Sequence, residues 1–239
     1  MTKASHDWNV SPKEAIELQK RLREQVKLVP LAHTPQVIGG CDVSMDRFAK
    51  EGFAGFVTLS FPALELLDHA VVKDTIPFPY IPGLLSFREI PMLMKAWEEL
   101  KTKPEVLVVD GIGIAHPRRL GIASHLGILL GIPTIGCAKS VLTGVYEEPG
   151  NMPGDISYLY DKHTKEIIGA ALRTKANVKP VFISPGHLIT LEDSLELIKA
   201  SIKKHRLPEE TRFAHNTVNE YRVKDAASAT SPTPPLKGL

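Results

Sequence analysis

The stretch VLVVDGIGIAHPRRLGIASHLGILLGIPTIGCAK, residues 106–139, limits the folds open to this chain more than any other. Four apolar residues in a row, three of them valine, describe a strand buried on both faces. The strand ends at Asp110, and the chain turns at once through Gly111, Ile112 and Gly113. An apolar helix is expected over 120–130, then a second short strand over 134–137 that delivers Lys139. This βαβ unit carries a carboxylate at its start and an ammonium at its end, with His116, Arg118 and Arg119 between them. Gly111-x-Gly113-x-x-His116 approaches a dinucleotide-binding fingerprint, but His116 stands where the third glycine belongs. The acidic partner of the ribose is also missing from 130–135.

Around this unit the chain alternates strands and helices. Ser11-Pro12-Lys13-Glu14 is a capping box with proline at the first helical position. Apolar residues at 15, 18, 22 and 26 continue it as an amphipathic helix over 11–28, in which nothing is chemical. Strands over 37–45, 53–61 and 64–73 have connections short enough for an antiparallel meander. Pro77, Pro79 and Pro82 stiffen the surface loop that bears Tyr80, and a helix runs from Ser86 to about residue 100. After the central unit come a hairpin over 156–161 and 166–173, a strand over 181–184 and a capped helix over 190–204. From Lys224 the Ala/Ser/Thr/Pro composition lacks an apolar period. One domain over 1–223 is therefore expected, with a disordered tail over 224–239. The fold class is α/β: a mixed sheet with helices on both faces, in which the fourth strand packs parallel to the first. That pairing would bring Asp42 beside Asp110, as in the core of ribonuclease-H-like nucleases.

Lysine and arginine exceed the acidic residues by a formal net charge of only +2 in 239 residues, so any basic surface must be local. Cys41 and Cys137 lie in apolar strands and read as small buried residues of a reducing compartment. No apolar run reaches membrane length, and a cytoplasmic protein without a membrane partner is expected. Taken singly, the carboxylates have structural explanations: an ion pair for Asp42, an Asp-Gly turn for Asp110, a capping box with Ser86 for Glu89. Brought together, they repel unless a cation neutralises them, and hard oxygen donors without a Cys/His cluster favour Mg²⁺, with Mn²⁺ as a substitute. Such an ion suits phosphoryl chemistry, where Lys139 would add positive charge; a solvated lysine at a strand end is the alternative. His116 reads as a general acid or base, a phosphate donor, or a loop histidine bonded to backbone. Arg118 and Arg119 stand before a helix, where the macrodipole disfavours cations. With Arg88 and the run Arg173-Thr174-Lys175…Lys179 they point to an anionic partner. Tyr80 would stack on or wedge into that partner, or else pack internally.

The runs PYIPGLLSFRE (79–89), VDG (109–111) with HPRRLG (116–121), GCDV (40–43), PTIGCAK (133–139) and SPGH (184–187) together resemble the endonuclease V family over about residues 11–222. The resemblance implies a ribonuclease-H-like fold and Mg²⁺-dependent hydrolysis one nucleotide 3′ to a deaminated base, chiefly hypoxanthine, leaving a 3′-hydroxyl and a 5′-phosphate. The partner implied is DNA containing deoxyinosine, or inosine-containing RNA, acted on by a monomer. It also implies that Asp42, Glu89 and Asp110 hold the metal, that His116 and Lys139 belong to the catalytic site, and that Tyr80 is a wedge. Gly83, Leu85, Gly111, Gly113 and Ile122 fall on the lesion pocket, and His215 on a histidine found in some members. A structure-specific nuclease of the same fold has no reason to carry the Tyr80 loop. A metal-free nucleic-acid-binding protein has no need of all three carboxylates.

Overall fold

The computed structural model describes residues 6–46 and 49–230. Helix α1 (Pro12–Leu22) begins as the capping box requires: Ser11 Oγ accepts from the Glu14 N–H, and the Glu14 carboxylate accepts from the Ser11 N–H. It is shorter than expected, because a 3₁₀ turn over Arg23–Gln25 ends it and Val26 is already extended. There follow β1 (Val37–Ser44), β2 (Glu51–Ser60), β3 (Leu66–Thr75), α2 (Leu85–Glu99), β4 (Val106–Val109), α3 (Ile122–Leu130) and β5 (Thr134–Ala138). The chain then forms β6 (Ile156–Tyr160), β7 (Ile167–Leu172), β8 (Val181–His187), α4 (Leu191–Ser201) and α5 (Glu209–Thr230).

The eight strands make one mixed sheet in the order β3-β2-β1-β4-β5-β8-β7-β6. β1, β2 and β3 are the expected antiparallel meander, and β4 runs parallel to β1 and to β5. Alternate residues of β4 serve the two faces. Val106 and Val108 join a core with Leu195 and Ile198 of α4, while Leu107 and Val109 join one with Ile90 and Leu93 of α2 and Leu126 of α3. The helices thus cover both faces, as the apolar run in β4 demands. Parallel register sets Cys41 opposite Val109, so the next residues, Asp42 and Asp110, leave the same end of adjacent strands. Lys139 follows β5 at that end too.

Helix α5 departs from the sequence reading. It runs to Thr230, past the Lys224 at which the tail was expected to start, and residues 231–239 lie outside the described residues. Its contact with the sheet is unusually close. A Cβ at Gly40 would stand 2.2 Å from the Glu210 carbonyl oxygen, and one at Gly55 would stand 2.9 Å from Val218. The two glycines let the helix backbone approach the strands, and Ala214 and Val218 are fully buried against them. Among the described residues no helix is long and apolar enough to cross a membrane.

Candidate active site

Two adjoining cavities open where β1, β4 and β5 end. The first, about 310 Å³, is lined by Asp42, Glu89, Asp110, Lys139 and His215. Parallel pairing supplies the two aspartates, α2 supplies Glu89, and α5 supplies His215. Lys139 Nζ lies 2.5 Å from Asp110 Oδ2, and His215 Nδ1 lies 2.9 Å from Asp42 Oδ2. Burial, then the Asp110 charge, holds Asp42 above the usual carboxylate range, against the lowering effect of His215. Among the described residues Glu89 has no such partner cation at contact distance. Desolvation first, then Asp42 and Asp110, push its pKa up to about 8. The capping explanation of Glu89 does not hold, because Ser86 lies inside α2, one residue past its start. Its Oγ is buried without a hydrogen-bond partner, and no side chain caps Leu84. Among the described residues no three His, Cys, Asp or Glu side chains are already drawn together as an ion cage.

The second cavity, about 200 Å³, is lined by Tyr80, Gly83, Leu85, Gly111, His116 and Ile122, among others. Leu85 and Ile122 line both cavities and form the wall between them. A Cβ at Gly111 would stand 2.5 Å from Ile122, so glycine there lets that wall close up. Gly113 does not reach this cavity. Its N–H donates to Ser184 Oγ at 2.8 Å, and a Cβ would collide with the Pro185 carbonyl at 2.0 Å, so its role is packing. Ile81 to Leu84 form a turn closed by the Leu84 N–H on the Ile81 carbonyl at 2.9 Å. Pro82 and Gly83 are its centre, and Gly83 at φ +78° takes the left-handed position that this turn reserves for glycine. Tyr80 sits just before it, 57% exposed at the cavity mouth.

The cations that suggested an anionic partner are mostly spent inside the protein. Arg88 is buried, and its Nη1 donates to the Phe78 carbonyl at 2.8 Å. Arg118 donates from Nη2 to the Gly83 carbonyl at 2.7 Å and from Nε to Gln19 Oε1 at 2.5 Å. Arg119, at φ +57°, pairs with Asp161 at 2.9 Å and with Glu166 at 3.4 Å. Buried Arg173 pairs with Glu148. The macrodipole argument failed because α3 starts at Ile122, beyond both arginines of the 118–119 pair. His116 belongs to the same internal scaffold. Its Nδ1 accepts from the Arg118 N–H at 3.1 Å, which leaves Nε2–H to donate to the Gly83 carbonyl at 3.0 Å. Burial, then Arg118, lowers its pKa to about 4, so it is neutral near pH 7 and stands in the second cavity rather than among the carboxylates.

Two residues at the site escaped the sequence reading. Asn219 receives the Ser44 hydroxyl at 2.7 Å and donates to the His215 carbonyl at 2.9 Å, which ties α5 to β1 beside Asp42. Gln19, on the helix read as purely structural, is 1% exposed; its Nε2 donates to the carbonyls of Gly83 at 3.0 Å and Leu120 at 3.2 Å. The visible signal was an amide falling on the apolar stripe of α1, between Ala15 and Leu22. Gln19→Leu removes these donors and strands Arg118 Nε, a loss of about 1–3 kcal/mol per buried group left unpaired. The expected result is a lower melting temperature, read by thermal unfolding. An unchanged melting temperature would show that the Gly83 peptide is held without Gln19.

The sequence profile of the endonuclease V family matches residues 20–216. An endonuclease V of Petrotoga mobilis is 46% identical over 213 residues, which is 89% of this chain and 95% of that protein. The crystal structure of an endonuclease V from Streptomyces avermitilis is 39% identical with a TM-score of 0.85, covering 92% of this chain and 96% of that one. The endonuclease V of Ciona intestinalis, solved with a 24mer DNA containing an inosine followed by a ribo-adenosine, is 28% identical with a TM-score of 0.80, covering 89% and 98%. These neighbours share the ribonuclease-H-like fold, and with agreement in sequence and architecture over nearly the whole length, the chain belongs to the endonuclease V family and is a nuclease.

Proposed function

We propose that this protein hydrolyses nucleic acid at deaminated bases, chiefly hypoxanthine, cutting one nucleotide to the 3′ side and leaving a 3′-hydroxyl and a 5′-phosphate. The observation that carries the reading is the shared wall of Leu85 and Ile122 between a compact cavity beside Tyr80 and a carboxylate cavity beside Lys139. In this reading a base sits in the first cavity and a neighbouring phosphate, not its own, at the second, and the separation of the two cavities supports an offset cut. The Ciona intestinalis complex with inosine-containing DNA supports the substrate class.

The carboxylate cavity suits Mg²⁺, with Mn²⁺ as a substitute. Its donors are hard oxygens from Asp42, Glu89 and Asp110, and burial, then the charges of the two aspartates, keeps a proton on Glu89 near pH 7. When bound, such an ion supplies a hydroxide nucleophile and charge stabilisation at the phosphoryl oxygens. The protein's own groups do the rest. Lys139, about half exposed beside Asp110, presents a point charge to the scissile phosphate. Gln19, His116 and Arg118 hold the Gly83 peptide at the base cavity, and Tyr80 fills the gap left by an unstacked base. The free thiols Cys41 and Cys137, both buried, fit a reducing compartment such as the cytoplasm.

The test is cleavage of strands with and without inosine, each with and without Mg²⁺. Cutting that requires both is expected. Equal cutting of undamaged strands would make the protein a structure-specific nuclease instead, and binding without cutting a nucleic-acid-binding protein.

A further inference from the structure

The sheet rim that carries Asp42, Asp110 and Lys139 does not stop at β5. β8 runs antiparallel to β5 and begins there, with Ala138 opposite Phe182, and β7 ends there, with Leu172 opposite Val181. α4 also ends on this side, since Lys199 and Lys203 line one cavity with Leu172, Thr174 and Lys175. Arg206 ties the rim together: it donates to the carbonyls of Lys179 at 2.7 Å, Pro180 at 2.7 Å and Lys139 at 3.1 Å. Along this rim stand Lys175, Lys179, Lys199, Lys203 and Lys204, all exposed. Among the described residues none of them forms an ion pair; at this end of β7 Glu148 is taken by Arg173, and the Asp155 carboxylate accepts from the Met152 N–H.

We infer that this lysine rim is a track for the phosphate backbone of the nucleic acid, continuing from the candidate hydrolytic centre across β8 to the end of β7. Strands lie about 4.8 Å apart, so the track starts roughly 10 Å from Lys139, one or two phosphates along a strand. Lys199 has a structural reason to be where it is, at a helix C-terminus. Lys175, on the β7–β8 connection, also holds the Lys204 carbonyl at 2.6 Å, whereas no such contact explains Lys179 on that connection or Lys203 and Lys204 past the end of α4. Exposed unpaired cations of one sign, joined by Arg206 to the Lys139 backbone, make a local field that the overall charge of +2 conceals. Phosphate contacts of this kind position a strand without reading its bases. The inference rests on the proposed function for its choice of partner, but its test does not require cleavage.

The experiment compares the full chain with a rim variant, Lys175→Gln, Lys179→Gln and Lys203→Gln combined. The control removes equal charge elsewhere: Lys13→Gln on α1 with Lys162→Gln and Lys165→Gln in the β6–β7 turn. Binding of single strands with and without inosine is measured between 50 and 200 mM salt. Each lost phosphate contact lowers the log–log salt slope by about 0.7, so the rim variant should lose about 2 from its slope. Its affinity at low salt should fall about tenfold or more, equally for both strands, while the control keeps its slope. A wild-type slope in the rim variant, or an equal change in the control, would overturn the inference. Failure of the wild-type chain to cut inosine strands would count against the proposed function and leave the slopes to decide the rim.

Discussion

Asp110→Asn is expected to lower turnover by about a thousandfold while leaving the protein at least as stable as before. The two halves of this result have one cause. Asp110, Asp42 and Glu89 face one cavity, and nothing in apolar packing asks for three carboxylates there. Desolvation, Asp42 and Asp110 together raise Glu89 to about 8 from 4.5. A group whose pKa is higher folded than unfolded favours the fold while it keeps its proton. Its contribution is full below 4.5 and is lost as pH rises through about 8. Asparagine at 110 removes one of the charges responsible, so the decline of stability between those pH values should flatten. The ion pair lost is with Lys139, itself about half exposed, and offsets little of this. Melting temperature measured from pH 5 to 9, beside single-turnover cleavage, checks both halves. Near-normal turnover would remove Asp110 from the chemistry, and a fall of many degrees would show it to be a structural residue.

Tyr80→Ala should cost one to two decades in affinity for inosine strands, since aromatic stacking is worth roughly 1–3 kcal/mol per base. The expectation rests on how the side chain is held. Pro79 precedes it, the Ile81–Leu84 turn follows it, and Arg88 anchors the Phe78 carbonyl from beneath. The backbone is therefore in place before substrate arrives, and little entropy remains to be lost when the ring inserts. Tyr80 is 57% exposed and among the described residues its hydroxyl makes no hydrogen bond, so its removal leaves the fold untouched. Tyr80→Phe keeps the ring and should behave nearly as wild type. Affinity and cleavage for inosine against undamaged strands, in both variants, decide the matter. Equal damage from Phe and Ala would make the hydroxyl the working part.

Much of this arrangement was legible in the chain because short-range rules governed it. The run Val106–Val109 ending in Asp110 reads as a strand buried on both faces, and after a meander the fourth strand commonly packs beside the first, as β4 does beside β1. Parallel register then set Asp42 next to Asp110, whatever the rest of the fold did. The turn at Pro82-Gly83 follows from the φ angles those two residues accept. Tertiary structure alone decided where the cations went. Arg88, Arg118 and Arg119 look the same in sequence whether they face phosphate or another part of the protein; here Arg88 and Arg118 hold the loop that lines the second cavity, and Arg119 pairs with Asp161. Glu89 likewise matched a capping box with Ser86 as N-cap, but the N-cap is Leu84, two residues earlier, and Glu89 lines the cavity with the aspartates. Helix α5 was hidden for a related reason. A helix packed on glycine needs small residues at its contact, and Ala214 and Val218 over Gly40 and Gly55 make too thin an apolar stripe to register as periodicity. Its partner surface lies more than 150 positions away, and only that surface explains why His215 reaches Asp42.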